Sequence, residues 1–133
     1  MSREIKFRGK SLHNGKWVCG YLSDVDNTPI GKVGIINSKP FSGCEESTMV
    51  IAESIGQFTG VLDGRNQEIY ENDIVATYFD GHCTYQGEVR FEAGRFIVST
   101  NNGLLTNIGG KSWLVIGNIH DNPELMKGGE KCQ

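Results

Sequence analysis

Residues 63–78 read DGRNQEIYENDIVATY. Four carboxylates, Asp63, Glu68, Glu71 and Asp73, fall within eleven positions, with Tyr70 and Tyr78 beside them. Such a cluster has three readings: an acid–base site, a metal cradle, or two turns around a strand. Asp63 and Asn66 sit in a first turn, Asn72 and Asp73 in a second. Asp and Asn belong in turns because their side chains bond backbone N–H groups two residues on. Between the turns, strand geometry puts Glu68 and Tyr70 on one face and Ile69 and Glu71 on the other. A divalent cation needs several oxygens converging on one point, and no spacing here matches an EF-hand. Paired acids for glycoside cleavage need a cleft with subsites. The stretch is therefore read as turn, short strand, turn, with Asp63 and Asp73 as turn braces and DIVATYF as the next strand.

The same grammar runs outward in both directions. GEVRFEAGRFIVS places Val89 and Phe91 before Ala93-Gly94 and Phe96 and Val98 after it, a hairpin with one apolar face. EIKFRGKSL alternates Ile5 and Phe7 with Lys6 and Arg8. Asn14-Gly15 then predicts a type I′ turn, pairing strands over about 4–12 and 16–23. KVGIIN is a short strand, residues 38–48 a loop, and MVIAESIGQFTG a strand followed by a turn. SWLVIGNI is nearly all apolar and is expected at the centre of a sheet, covered on both faces. DNPELMK carries the one helix signal: Asn122 as cap, Pro123 in the first position and Glu124 at the positive end of the dipole. Eighteen glycines against three prolines suit a chain of many tight turns. The expectation is a mainly β protein, either a small barrel or a pair of curled sheets, with a short C-terminal helix.

The bulk numbers limit the function classes. A chain of 133 residues fits one domain, or two small subdomains, and needs no metal or disulfide staple. A net charge of −3 argues against a general nucleic-acid binder, though not against a local basic patch. The amino-terminal MSREIKFRGK has no apolar segment, and no apolar run is long enough to span a membrane. A cytoplasmic location and no membrane partner are expected. Cys19, Cys44, Cys83 and Cys132 form no CxxC pair, and reduced thiols are the cytosolic default.

Other motifs dissolve on inspection. GGKS at 109–112 lacks the phosphate-loop glycine at Leu105 and precedes a strand rather than a helix. His82 and Cys83 are chain neighbours, which in a strand point to opposite faces, away from nucleophile geometry. His13, His82, His120 and Cys83 have no zinc spacing. No catalytic residue, metal ligand or cofactor is assigned. The amino-terminal hairpin keeps a claim. Arg3, Lys6, Arg8, Lys10 and Lys16 are five of the thirteen basic residues. Lys6, Arg8 and Lys10 share a strand face, with Trp17 and Tyr21 on the partner strand. Cations beside aromatic rings hold phosphates and stack bases. The plainer reading is a solvated face whose lysines blunt a sheet edge. The candidate ligand-binding residues are Lys6, Arg8, Lys10, Lys16, Trp17 and Tyr21.

Three blocks, REIKFRGKSLHNGKWVCGYL, ESIGQFTGVLDGRNQEIYENDIV and WLVIGNIHDNPELM, make the chain resemble the YopX family of small phage- and prophage-encoded proteins. The middle block matches at Gly56, Gln57, Phe58, Thr59, Gly60, Asp63, Glu68, Ile69, Tyr70, Glu71, Asp73, Ile74 and Val75. It departs at Asn66 and Asn72, where the family usually has glycine. Asparagine is the next best residue for positive φ, so those positions call for a left-handed turn. The resemblance implies a single domain over 1–133, with a hairpin region over 1–55 and an SH3-like barrel over 56–126. It implies phage origin and transfers no catalytic residue. The function expected is that of a non-enzymatic accessory protein that binds a host protein as a homo-oligomer. The alternatives are a nucleotide or nucleic-acid module using the basic hairpin and, last, an enzyme with a site assembled from distant residues.

Overall fold

The computed structural model describes residues 4–29, 31–38, 46–100, 103, 105–108 and 113–125. Arg3, most of the loop expected over 38–48, the GGKS turn and the end of the expected helix lie outside them. The described residues form eleven antiparallel strands in two compact units, Met1–Phe58 and Thr59–Gln133. No described helix is long and apolar enough to cross a membrane.

The first unit holds β1 (Phe7–Lys10), β2 (Trp17–Thr28), β3 (Gly31–Ser38), β4 (Glu46–Ile51) and the start of β5 (Gly56–Leu62), in the order β4-β3-β2-β1-β5. β1 pairs Phe7 with Gly20 and Lys10 with Trp17 on one side, and Arg8 with Gly56 on the other. It is therefore an inner strand, and its cations do not blunt an edge. Beyond β1, Ser11 bridges to Val50 and the Leu12 N–H donates to the Met49 carbonyl at 3.0 Å. This brings β4 back to the end of the first hairpin and curls the sheet. Ile36 and Val50 are fully buried inside the curl. Gly9 lies against them so closely that a Cβ would meet Val50 Cγ2 at 2.8 Å.

The expected Asn14-Gly15 type I′ turn is not formed. Gly15 has φ 69° but Asn14 is not left-handed. A wider loop closes instead through the Ser11 N–H to the Lys16 carbonyl and the Gly15 N–H to the Ser11 carbonyl, both 2.9 Å. Asn14 spends its side-chain oxygen on the Lys16 N–H at 2.9 Å. An Asx bond of this kind competes with the two-residue turn.

The second unit continues β5 and adds β6 (Glu68–Tyr70), β7 (Asp73–Phe79), β8 (His82–Glu92), β9 (Arg95–Thr100), β10 (Leu105–Asn107) and β11 (Leu114–Asn118). Five of these form a sheet in the order β10-β9-β8-β7-β11. Both of its long hairpins turn on two consecutive positive-φ residues, Asp80-Gly81 (53°, 79°) and Ala93-Gly94 (53°, 79°). Those are the type I′ values, whose twist matches the flanking strands. Val75, Val89 and Val98 pack with Ile69, Ile108 and Trp113 into the core.

Two expectations are corrected here. β11 is not central: it ends the sheet, and its residues 114–117 are only half-buried. Its apolar sequence is explained by packing, since Val115 lies against the core cluster. The C-terminal helix is, among the described residues, a single 3-10 turn over 123–125. Asn122 does not cap it. Its side-chain oxygen turns back to accept the Asn118 N–H at 3.3 Å, beside Gly117. The strands described close no barrel.

Candidate functional site

The acidic stretch resolves into braces. Asp63 is fully buried in the second unit. One carboxylate oxygen accepts the N–H groups of Arg65 (2.8 Å) and Gln67 (2.9 Å), and the other accepts that of Val115 (3.0 Å) on β11. Burial alone would raise its pKa. The bonds from Val115, Gln67 and Arg65, with the Arg65 charge, outweigh burial and hold it below the ordinary carboxylate value. The same turn covers the outer edge of β11: the Gly64 N–H donates to the Trp113 carbonyl and the Arg65 guanidinium to the Val115 carbonyl, both 3.0 Å. Asp73, also buried, accepts the Tyr70 N–H at 2.8 Å. Asn66 and Asn72 have φ of 63° and 74°, the left-handed turns that their positions call for. Glu68 faces Tyr70, whose hydroxyl donates to it at 3.1 Å. The two aspartates hold backbone N–H groups, and Glu68 holds a side-chain hydroxyl. Among the described residues no group of three or more His, Cys, Asp or Glu is placed to hold a metal. Cys83 is disulfide-bonded, which corrects the expectation of reduced thiols there and removes its sulfur as a nucleophile in this form.

The basic hairpin builds a surface. The register sets Lys10 opposite Trp17 and Arg8 opposite Cys19, so they share one face of the sheet. Continuing it sets Lys6 opposite Tyr21. The Arg8 guanidinium lies 4.6 Å from the Trp17 ring centre and the Lys10 ammonium 5.6 Å. The Lys6 ammonium lies 5.2 Å from the ring of Phe58 on β5 and 3.6 Å from Glu4. Five of the six candidates thus stand in one row. Lys16 is exposed on the loop that joins the strands. The Trp17 ring is already engaged by two cations of its own chain, whereas Tyr21 is 65% exposed. An open cleft of about 240 Å³ lies beside Lys6 and Tyr21, lined also by Cys19, Gly20 and Asn37.

Sequence reasoning missed three parts of this face. Phe58 and Gly56 come from β5, nearly fifty positions away, which nothing in the local pattern announces. Cys19 was visible by period two and is an exposed thiol outside any disulfide. Asp24 and Asp26 lie further along the same face of β2. Ser23 is bulged out of register, and Tyr21 and Asp24 pair with Asn37 and Ile35, which are two apart on β3. Asp26 has a raised pKa, chiefly from the charge of Asp24 beside it, then from a hydrogen bond between the two.

Two antiparallel sheets with a cationic, aromatic face on the first define a small mainly β protein. A family model described as YopX protein matches residues 6–127, and the chain belongs to that family. Protein EF1440 from Enterococcus faecalis, known from a crystal structure, is similar with a TM-score of 0.54 and 25% identity, over 95% of this chain and 100% of that one. No curated protein matches the chain.

Proposed function

We propose that the protein is a non-enzymatic, phage-type accessory protein that works by binding, in the cytoplasm of a bacterial host, with an acidic surface of a host protein as partner. YopX family membership supports the phage-type role. The observation that carries the binding role is the row Lys6, Arg8, Lys10 with Trp17 and Phe58. Rings beneath cations hold them in place, so less side-chain entropy is lost when a carboxylate docks. The non-enzymatic reading is supported by the acidic stretch, whose two buried aspartates are committed to backbone N–H groups. The five-stranded sheet with its two I′ hairpins suits an SH3-like module, the second unit's part in this reading.

The experiment is a host-lysate pull-down at low salt with wild type and with Arg8→Glu/Lys10→Glu, quantified by mass spectrometry. An acidic partner held by wild type and lost by the variant is expected. Identical capture by both removes this face from the reading. A nucleotide or nucleic-acid ligand is the second reading, favoured by exposed Tyr21 beside the cleft rather than by Trp17. Its mark is binding of single-stranded DNA or ATP that Tyr21→Ala weakens, with steep salt dependence for the polymer alone.

A further inference from the structure

The outer face of β2 is a charged stripe with two ends. At one end Lys10 and Arg8 stand opposite Trp17 and Cys19. At the other, Asp24 and Asp26 project from a stretch of β2, residues 23–27, that is exposed throughout. Tyr21 lies between them, 65% exposed. The spacing is symmetric. Trp17 is four residues from Tyr21 in one direction. In the other, Tyr21 pairs with Asn37 and Asp26 with Val33, four residues further along β3. At the rise of a β-strand each end lies about 13 Å from Tyr21.

A stripe that is positive at one end, negative at the other, and in the middle holds Tyr21 beside Lys6, whose charge Glu4 offsets at 3.6 Å, is complementary to itself. A two-fold axis through Tyr21 sets the acids of one copy against the cations of the next, twice over, as an isologous interface requires. It also puts an exposed aromatic at the centre and charge at the rim, the usual anatomy of an interface. The two carboxylates repel each other in the isolated chain, which is why Asp26 holds its proton more readily than usual. An opposing Arg or Lys relieves that repulsion.

We propose that this face is the contact between two copies of the chain, paired across Tyr21 with Asp24 and Asp26 of each copy on Arg8 and Lys10 of the other. The inference rests on the proposed use of the basic face for acidic surfaces, and it names one such surface: the protein's own β2.

The test is sedimentation velocity of full-length wild type, Asp24→Lys/Asp26→Lys, and Arg8→Glu/Lys10→Glu. Wild type is expected as a dimer whose apparent Kd rises roughly tenfold or more from about 50 to about 500 mM NaCl, as the screening length falls from about 14 to about 4 Å. Each variant carries one sign at both ends of the stripe and is expected to be monomeric alone. Mixed in equal amounts, the two should pair again, because the all-positive stripe fits the all-negative one at both ends. Circular dichroism confirms that each variant is folded. Should the half-buried Arg8/Lys10 variant fail to fold, Tyr21→Lys takes its place and must also dissociate the dimer. A wild type that stays monomeric at low salt overturns the inference, as do folded variants that still dimerise alone or do not pair when mixed. Monomeric wild type that still captures an acidic host protein would sink this contact alone and leave the proposed function standing.

Discussion

Asp63 shows how one side chain settles what a cluster of four carboxylates means. Its two oxygens take three backbone N–H groups, one of them 52 residues away on β11. Replacing it by alanine strands those donors in a buried place. Asp63→Ala is expected to cost about 3 kcal/mol in chemical denaturation, and Asp63→Asn less, since one acceptor remains. The pH dependence has a fixed sign. Because the folded pKa is lowered, Asp63 contributes stability that is fully present above its unfolded pKa of about 4 and is lost as pH falls through the lower folded value. Thermal melts below pH 4 should therefore fall more steeply for wild type than for Asp63→Asn. Equal slopes would mean that the carboxylate is not the acceptor described. Asn66 and Asn72 carry the complementary lesson. Both are left-handed, so glycine should be tolerated at each within about 0.5 kcal/mol, while valine at Asn72 should cost about 1–2 kcal/mol or more. Those turns were legible in the sequence because only a few residue types occupy positive φ. The Val115 partner of Asp63 was not, since the chain carries no local mark of what arrives from fifty residues on.

Among the elements, hairpins divide by what their turn residues do with their side chains. Asp80-Gly81 and Ala93-Gly94 turn on their backbones alone, and the second was legible from the apolar alternation on both sides of it. Asn14-Gly15 carries the stronger signal and forms a wider loop, because Asn14 bonds the Lys16 N–H. The place of β11 was misread for a related reason. An apolar strand reads as central, but half of what covers this one is a turn: Asp63, Gly64 and Arg65 bond the outer edge that a sixth strand would take. That covering also keeps the edge from pairing with other chains. Close strand approach is a further feature that sequence does not display. At Gly87 in β8 a Cβ would stand 2.6 Å from the Ser99 carbonyl oxygen and 2.7 Å from Val98 Cγ1. Backbone cannot step aside as a side-chain end can, so Gly87→Ala should destabilise by about 2 kcal/mol, near the middle of the overpacking range. A urea midpoint unchanged from wild type would show that β9 yields freely. The cationic face belongs at this scale too: its β1–β2 half followed from period two, and its β5 half did not.

For the whole molecule, the family and the mainly β class were legible from three sequence blocks and from turn composition. The division of labour between the units was not, because it depends on which strands pair. Each unit has its own buried side chains: Ile36 and Val50 in the first, and the cluster around Val75, Val89, Val98 and Trp113 in the second. Each also carries one of the two tryptophans, half-buried Trp17 and buried Trp113. That arrangement makes stability separable by fluorescence. Trp17→Phe leaves Trp113 as sole reporter, and Trp113→Phe leaves Trp17. Contacts concentrated within each unit favour sub-global opening along the same boundary. Gly87→Ala should therefore lower the urea midpoint reported by Trp113 more than that reported by Trp17. Gly20→Ala should do the reverse, since a Cβ at Gly20 would collide with the Asn37 carbonyl oxygen and force β2 from β3. The Gly20 change acts from the opposite face of the sheet, but it displaces β2, the strand paired with the one that carries Arg8 and Lys10, so binding should fail with the first unit while Trp113 still reports a folded second one. If both reporters move together for both substitutions, the chain unfolds as one cooperative block, and loss of binding in a destabilised variant could no longer be assigned to the face itself.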